Sequence, residues 1–81
     1  MTEKDIIKIL IRELGWTQLM LAQSLGYNTQ SAIGNRLRDS NGMRVDSLVR
    51  ILDKLGYELV IRSKAKQNRN SWIIDYKEEN E

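Results

Sequence analysis

The most informative segment of the sequence is Trp16-Thr17-Gln18-Leu19-Met20-Leu21-Ala22-Gln23-Ser24-Leu25-Gly26-Tyr27, followed by Asn28-Thr29-Gln30-Ser31-Ala32-Ile33. Thr17 has a hydroxyl that can cap a helix over residues 18–25. Gly26 can adopt the positive φ that ends this helix. A second helix then opens with small polar residues and amides, and Ala22 stands where a neighbouring helix must come close. The stretch therefore predicts two short helices joined by a tight glycine turn.

The flanking sequence predicts two further helices, one before and one after this pair, and all of the helices carry apolar residues at helical spacing. The first covers Glu3–Leu14, with Thr2 as its N-cap and Gly15 as its stop, and its apolar positions are Ile6, Ile7, Leu10, Ile11 and Leu14. The helix after the glycine turn covers residues 29–38, with its start at Thr29 or Gln30 and with Ile33 and Leu37 turned inward. The last covers Val45–Leu55, and its inward face carries Leu48, Ile51, Leu52 and Leu55.

The hydrophobic period changes to two after Gly56, which indicates β-strands over residues 57–62 and 71–76. We therefore expect a mainly α fold: a four-helix domain over 1–56, a C-terminal β-hairpin or strand arm over 57–76, and a disordered acidic tail over 77–81. Isolated two-stranded hairpins are marginal in water. We hypothesise that the arm pairs across the two-fold axis of a dimer; the alternative is a hairpin within one chain. The residues that we expect in the dimer contact are Leu59, Ile61, Trp72 and Ile74.

Composition narrows the classes of function. The 81 residues contain neither His nor Cys, which removes the commonest general base and the usual metal-binding thiolates. We expect no enzyme activity, no metal and no cofactor, and the lack of Cys fits a cytoplasmic protein. No apolar run has the length of a membrane span, so no membrane partner is expected. The net charge is only +2, but bases gather in residues 28–50 and 62–70 and acids in 77–81.

The pattern Gln18-x-x-Leu21-Ala22-x-x-Leu25-Gly26-Tyr27 resembles the helix-turn-helix of the phage-repressor family (lambda repressor, Cro and XRE-type regulators). The resemblance covers roughly residues 6–55 and implies a lambda-repressor-like DNA-binding domain. In that family the helix after the turn enters the major groove, and its N-terminal residues read bases. The resemblance implies that Gln30 and Ser31 read bases, and that Gln18 contacts a phosphate and braces Gln30.

Helical spacing adds candidates of its own. With Ile33 and Leu37 inward, Ser31, Asn35 and Arg38 project from the opposite face. Amide side chains can bond the edge of adenine, so we assign Asn35 to base reading. The residues that we expect beside phosphates are Gln18, Thr29, Arg38 and Arg44. Arg36 falls nearer the core edge, and we expect it to pair with Glu13.

Three positions depart from the family pattern. One extra residue lies around residues 28–29, Arg36 occupies an often apolar position, and Arg44 stands where a Ser cap is common. The loop cations Arg62, Lys64, Lys66 and Arg69 fit a solvated loop and a phosphate contact about equally.

The expected function is a sequence-specific transcriptional regulator: a small homodimeric repressor that binds a palindromic operator in double-stranded DNA. The alternative is an antitoxin- or inhibitor-type module that uses the same fold to bind a protein partner such as a toxin.

Overall fold

The computed structural model describes residues 1–38, 41–67 and 69–75. Over these residues the elements are α1 (Glu3–Leu14), α2 (Gln18–Ser24), α3 (Ser31–Arg38), α4 (Val45–Leu55), β1 (Leu59–Arg62) and β2 (Ser71–Ile74). The fold is therefore mainly helical with a small antiparallel sheet, which is the coarse class that the sequence predicts. The predicted acidic tail over 77–81 and the end of the second predicted strand at Tyr76 lie outside the described residues.

Local capping sets the bounds of α1. The Thr2 hydroxyl accepts a hydrogen bond from the Asp5 N–H at 3.3 Å, and the Asp5 carboxylate accepts one from the Thr2 N–H at 3.2 Å. This reciprocal pair satisfies two donors that a helix start leaves unpaired. Gly15 ends α1 in the left-handed conformation with φ 72°. Both bounds are those predicted from the sequence.

The buried face of α1 differs in part from the predicted stripe. Leu10 and its neighbours Ile7 and Ile11 are buried, but Ile6 and Leu14 are each 41% exposed. They lie at the edge of the helix face that meets the core. Lys4 instead joins the buried side, with its aliphatic stem covered and its ammonium group bonded to the carbonyl oxygen of Asn41.

Helices α2 and α3 pack closely through small and branched side chains. Ala22 is fully buried, and a larger side chain there would press on neighbours that are already close-packed. The buried residues that join these two helices in the core cluster are Leu21, Leu25, Ile33 and Leu37, with Tyr27 partly buried against them.

The predicted start of α3 is wrong by one or two residues. The carbonyl oxygen of Gln30 accepts hydrogen bonds from the N–H groups of Ile33 and Gly34 at 3.1 and 2.9 Å. Gln30 is therefore the flanking residue before the helix, and the first helical residue is Ser31. Helix α2 ends at Ser24, one residue before its predicted end, so the connection covers residues 25–30, and Gly26 lies in it with φ 91°.

Helix α4 closes the core from one side. Its bounds match the prediction, and Gly56 ends it with φ 86°. Ile51, Leu52 and Leu55 are buried as expected, whereas Val49 is more buried than the predicted Leu48. None of the helices over the described residues has the length and apolar character needed to span a bilayer.

The C-terminal strands pair with each other inside one chain. The register joins Leu59 with Ile74, and the pairing continues outward to Arg62 opposite Ser71. This is the second of the two arrangements that the sequence left open; closing a short loop within one chain costs less entropy than an encounter of two chains. Both strands are shorter than predicted, because pairing begins at Leu59 rather than at Tyr57.

Candidate nucleic-acid interface

The face of α3 that points away from the core is polar and exposed. Ile33 and Leu37 fix the orientation of the helix, because both are buried. The exposed side chains, in chain order, are Gln30, Ser31, Asn35 and Arg38. The predicted base-reading residues thus lie together at the N-terminal end and along one side of an accessible helix. The residues assigned from the family resemblance and from helical spacing share this surface.

Gln18 and Gln30 meet across the gap between α2 and α3. The Gln30 Nε2 lies 3.5 Å from the Gln18 Oε1, a long hydrogen bond in which the Gln30 amide donates. The predicted bracing contact between these two amides is therefore within reach. Because Gln18 is half-buried while Gln30 is exposed, the inner amide supports the outer one. Holding a long side chain in place reduces the entropy lost when it binds.

Gly34 makes room for this arrangement. A Cβ atom at position 34 would lie 3.3 Å from Gln18 Oε1 and 3.8 Å from both terminal nitrogens of Arg38. Gly34 is itself buried, so these two polar side chains cover it. On the other side of the gap, Arg38 Nη2 donates to Asn35 Oδ1 at 2.9 Å. We name these two hydrogen-bonded pairs the polar row: Gln30 with Gln18, and Arg38 with Asn35.

The N-terminal end of α3 is open to an anion or a base edge. The first turn of the helix has no acidic residue, so no side chain there opposes the partial positive charge of the helix start. Thr29 is exposed, and its hydroxyl lies 3.1 Å from that of Ser31. The two hydroxyl groups and the Gln30 amide therefore provide donors and acceptors at one point on the surface.

Arg44, the other predicted phosphate contact, stands at the N-cap of α4 without a capping hydrogen bond from its side chain. It forms an ion pair with Asp46 at 3.1 Å, and the two side chains are 83% and 61% exposed. An exposed pair of this kind contributes about 1 kcal/mol or less. A phosphate can therefore compete with Asp46 for this guanidinium at small cost.

Two arginines bond to residues at or just after the end of α2. Arg36 does not follow the expected pairing with Glu13; its guanidinium donates to the Tyr27 hydroxyl at 2.9 Å and lies 5.3 Å from the centre of that ring. The path of residues 25–30 brings Tyr27 beside α3, so the nearest partner of Arg36 is an aromatic ring. Arg50 of α4 donates to the carbonyl oxygen of Leu25 at 2.7 Å and so satisfies a backbone acceptor at the end of α2.

Two contacts from the first turn of α1 hold the segment before α4, and neither was predicted from the sequence. Glu3 accepts a hydrogen bond from the Met43 N–H at 2.8 Å, which lowers the pKa of the Glu3 carboxyl below its ordinary value. Lys4 bonds the neighbouring carbonyl oxygen of Asn41. A signal existed for Lys4, since it lies three and seven residues before the buried Ile7 and Ile11 and so shares their face.

The predicted dimer residues lie on one face of the hairpin. Direct partners in an antiparallel pair point to the same side, so Leu59 with Ile74 and Ile61 with Trp72 form a continuous apolar strip, which we call the arm face. Leu59 packs partly on the helical core. Ile61 and Trp72, farther along the hairpin, are 52% and 60% exposed.

Comparison with known proteins finds no match: no family model, no curated protein and no solved structure is similar to this chain. What indicates a function is therefore the chain's own residues and the motif resemblance of residues 18–27.

Proposed function

We propose that this chain is a sequence-specific DNA-binding transcriptional regulator, a small repressor that acts as a homodimer and reads the major groove with α3. The observation that carries the proposal is the polar row, in which Gln30, Asn35 and Arg38 are exposed at α3 and Gln18 of α2 lies behind Gln30. A lambda-repressor-like fold is part of the same proposal, supported by the tight packing of α2 and α3 around Ala22 and by the resemblance of residues 18–27.

The chemistry of the polar row suits the edges of base pairs. The major groove is about 12 Å wide and admits one α-helix, and its adenine edge offers one donor and one acceptor. A glutamine or asparagine amide can bond both at once. Gln30 and Asn35 are the amides exposed for this purpose, with Ser31 between them. Arg38 and Arg44 supply charge for the phosphates on either side, and Thr29 and Gln18 supply neutral hydrogen bonds.

Repression would follow from occupancy. Two copies related by a two-fold axis present two α3 helices to successive major grooves, so their operator is a palindrome. Bound across a promoter, the dimer excludes other proteins from the same DNA.

The test begins with selection of bound duplexes from a random DNA pool. We expect a palindromic site to be enriched. The variant Gln30→Ala with Asn35→Ala should then lose at least about tenfold in preference for that site, because each good bidentate contact contributes about 1–3 kcal/mol of discrimination. Weak binding to unrelated DNA should persist, since phosphate contacts supply it.

The matched control removes two exposed amides elsewhere, Gln23→Ala with Gln67→Ala, and should leave operator binding unchanged. Enrichment of no sequence, or an unaltered preference in the Gln30 and Asn35 variant, would refute base reading by α3.

A protein-interaction module of the antitoxin or inhibitor type is the second candidate. The exposed apolar side chains of the hairpin favour it, because such side chains commonly mark contacts with other proteins. The same DNA selection separates the two candidates, since an interaction module of this kind enriches no duplex.

A further inference from the structure

The arm face extends beyond the helical body and is left uncovered at its outer end. The inner pair, Leu59 and Ile74, is half-buried, and Leu59 reaches the core. The outer pair, Ile61 and Trp72, has more than half of its surface in contact with water. A two-stranded hairpin with an exposed tryptophan gains little from folding alone. The arm face is therefore joined to the core at its inner end, and its outer end is exposed and can be covered by another apolar surface.

Charge is distributed unevenly along the hairpin. Four bases and no acid surround a depression of about 540 Å³ at the tip; we call them the tip cations, and they are Arg62, Lys64, Lys66 and Arg69. None of them forms an ion pair with another residue in the described part of the chain.

The opposite end of the hairpin is acidic. A groove of about 600 Å³ separates it from α4, and the charged residues lining this groove are Asp53, Glu58 and Asp75, which we call the base acids. Val49, Tyr57 and Ile73 give the same groove an apolar part. Among the described residues no acidic cluster has the arrangement of a metal site. The base acids therefore give this end of the hairpin a negative charge that cations can approach.

We propose that the arm face is covered by the arm face of a second copy of this chain, with the two hairpins running antiparallel, so that the tip cations of each copy lie beside the base acids of the other. This inference deepens the homodimer of the proposed function and rests on it, but it uses only the hairpin and α4. The occupant is a second copy because the hairpin is complementary to itself when it is reversed.

Symmetry and length agree with this arrangement. A two-fold axis perpendicular to the hairpin reverses its direction, so the tip of one copy comes to the base of the other. Four-residue strands extend about 13 Å, which is the span over which the charge changes sign. Trp72 and Ile61 then lie near the axis, where they exclude water. Both ends form the same contact, and the assembly closes at two copies.

Charge reversal tests the arrangement. The tip variant replaces all four tip cations (Arg62→Glu, Lys64→Glu, Lys66→Glu and Arg69→Glu), and the base variant replaces all three base acids (Asp53→Lys, Glu58→Lys and Asp75→Lys). Each variant brings like charges together at both ends of its own dimer, so each should dimerise roughly tenfold more weakly or worse than the parent chain. Mixed in equal amounts, the two variants should form a heterodimer with opposite charges at both ends. A chain that carries both sets of changes should dimerise with itself again.

Sedimentation equilibrium of the full chain without DNA, at several salt concentrations, gives the dissociation constants. The control is Lys8→Glu with Arg12→Glu on α1, which reverses two exposed charges outside the hairpin and should change dimerisation little. Trp72→Ala should give a monomer whose helical circular dichroism is retained.

Three results would overturn the proposal: a parent chain that is monomeric at tens of micromolar, charge variants that dimerise like the parent, or variants that show no preference for the heterodimer. If the tip variant loses DNA binding but keeps its dimerisation, the tip cations contact phosphate and the proposal fails, while the proposed function stands. If the heterodimer forms but no duplex is enriched from the random pool, the interface stands and the proposed function fails.

Discussion

Gly34 illustrates how a single position controls the candidate interface. It is buried in the middle of α3, a place where glycine lowers helix stability relative to alanine by about 1 kcal/mol. The structure gives a reason for its presence, because the Gln18 amide and the Arg38 guanidinium both lie over it. A side chain at this position would move the amide that contacts Gln30.

We therefore predict opposite effects of Gly34→Ala on stability and on binding. The added Cβ contacts the far end of a flexible side chain, so the free energy of unfolding should stay unchanged or rise by up to about 1 kcal/mol. Operator affinity should fall several-fold, because Gln18 leaves its place beside Gln30. Thermal unfolding and DNA titration measure the two quantities.

The control is the same change in a Gln18→Ala background. If Gln18 is the group that moves, Gly34→Ala should cost no further affinity there. An equal loss in both backgrounds would place the effect elsewhere on α3 and contradict this role of Gly34.

The sequence was sufficient to place the exposed residues of α3 but not their partners. Helical spacing from Ile33 and Leu37 put Ser31, Asn35 and Arg38 on the open face, and the structure agrees. The partner of Arg36 could not be read from spacing. It depends on the path of residues 25–30, which brings Tyr27 beside α3.

At the scale of elements, the start of α1 fixes the segment that leads into α4. The N–H of Met43 donates to the Glu3 carboxylate and lowers the pKa of that carboxyl from its ordinary value of 4.5. Within α1, the Thr2 backbone N–H and hydroxyl lower the pKa of Asp5 from 3.8. Both carboxylates favour the folded chain only while they are ionised.

Stability should therefore decrease on acidification through these two groups. A carboxyl whose folded pKa is lowered contributes fully above its unfolded pKa, and the contribution is lost as pH falls through the folded value. For Glu3 this loss begins near pH 4.5 and is complete below the lowered pKa. We predict that Glu3→Gln is less stable than the parent at pH 7 and that the difference shrinks by pH 3.

Urea unfolding midpoints at the two pH values measure this effect. Glu13→Gln, which neutralises an exposed carboxylate on the same helix, serves as the control and should change the pH dependence less. A Glu3→Gln chain that loses stability on acidification as steeply as the parent would show that the Met43 contact does not matter for folding.

Element bounds were predictable where a cap marks them. Thr2 with Gly15, and Gly56 after α4, gave both helices their observed ends. No such cap marks the start of α3, where the carbonyl group of Gln30 rather than a side chain receives the first hydrogen bonds. The predicted start of β1 and the predicted end of β2 extend too far for a different reason: the alternation in the sequence continues beyond the residues that pair.

In the whole molecule, the two proposed roles belong to different parts of the chain: DNA binding to the helical part and dimerisation to the hairpin. The radius of gyration is 14.1 Å, against about 12 Å for a compact domain of this length, so mass extends away from the core. The core holds α3 in place, and the hairpin presents the surface proposed for a second copy. The resemblance to phage repressors concerns only the helical part, and the hairpin had to be interpreted from its own charges and exposed side chains.

Whether α3 reads base pairs with its polar face is measured by titrating ¹⁵N-labelled chain with the selected duplex and following the backbone amide chemical shifts. If α3 reads base pairs, the largest changes should fall on residues 29–38, with smaller changes around residue 44. Scrambled duplex should give weaker changes that salt removes. Largest changes confined to residues 57–75, or equal responses to the selected and scrambled duplexes, would contradict base reading by α3.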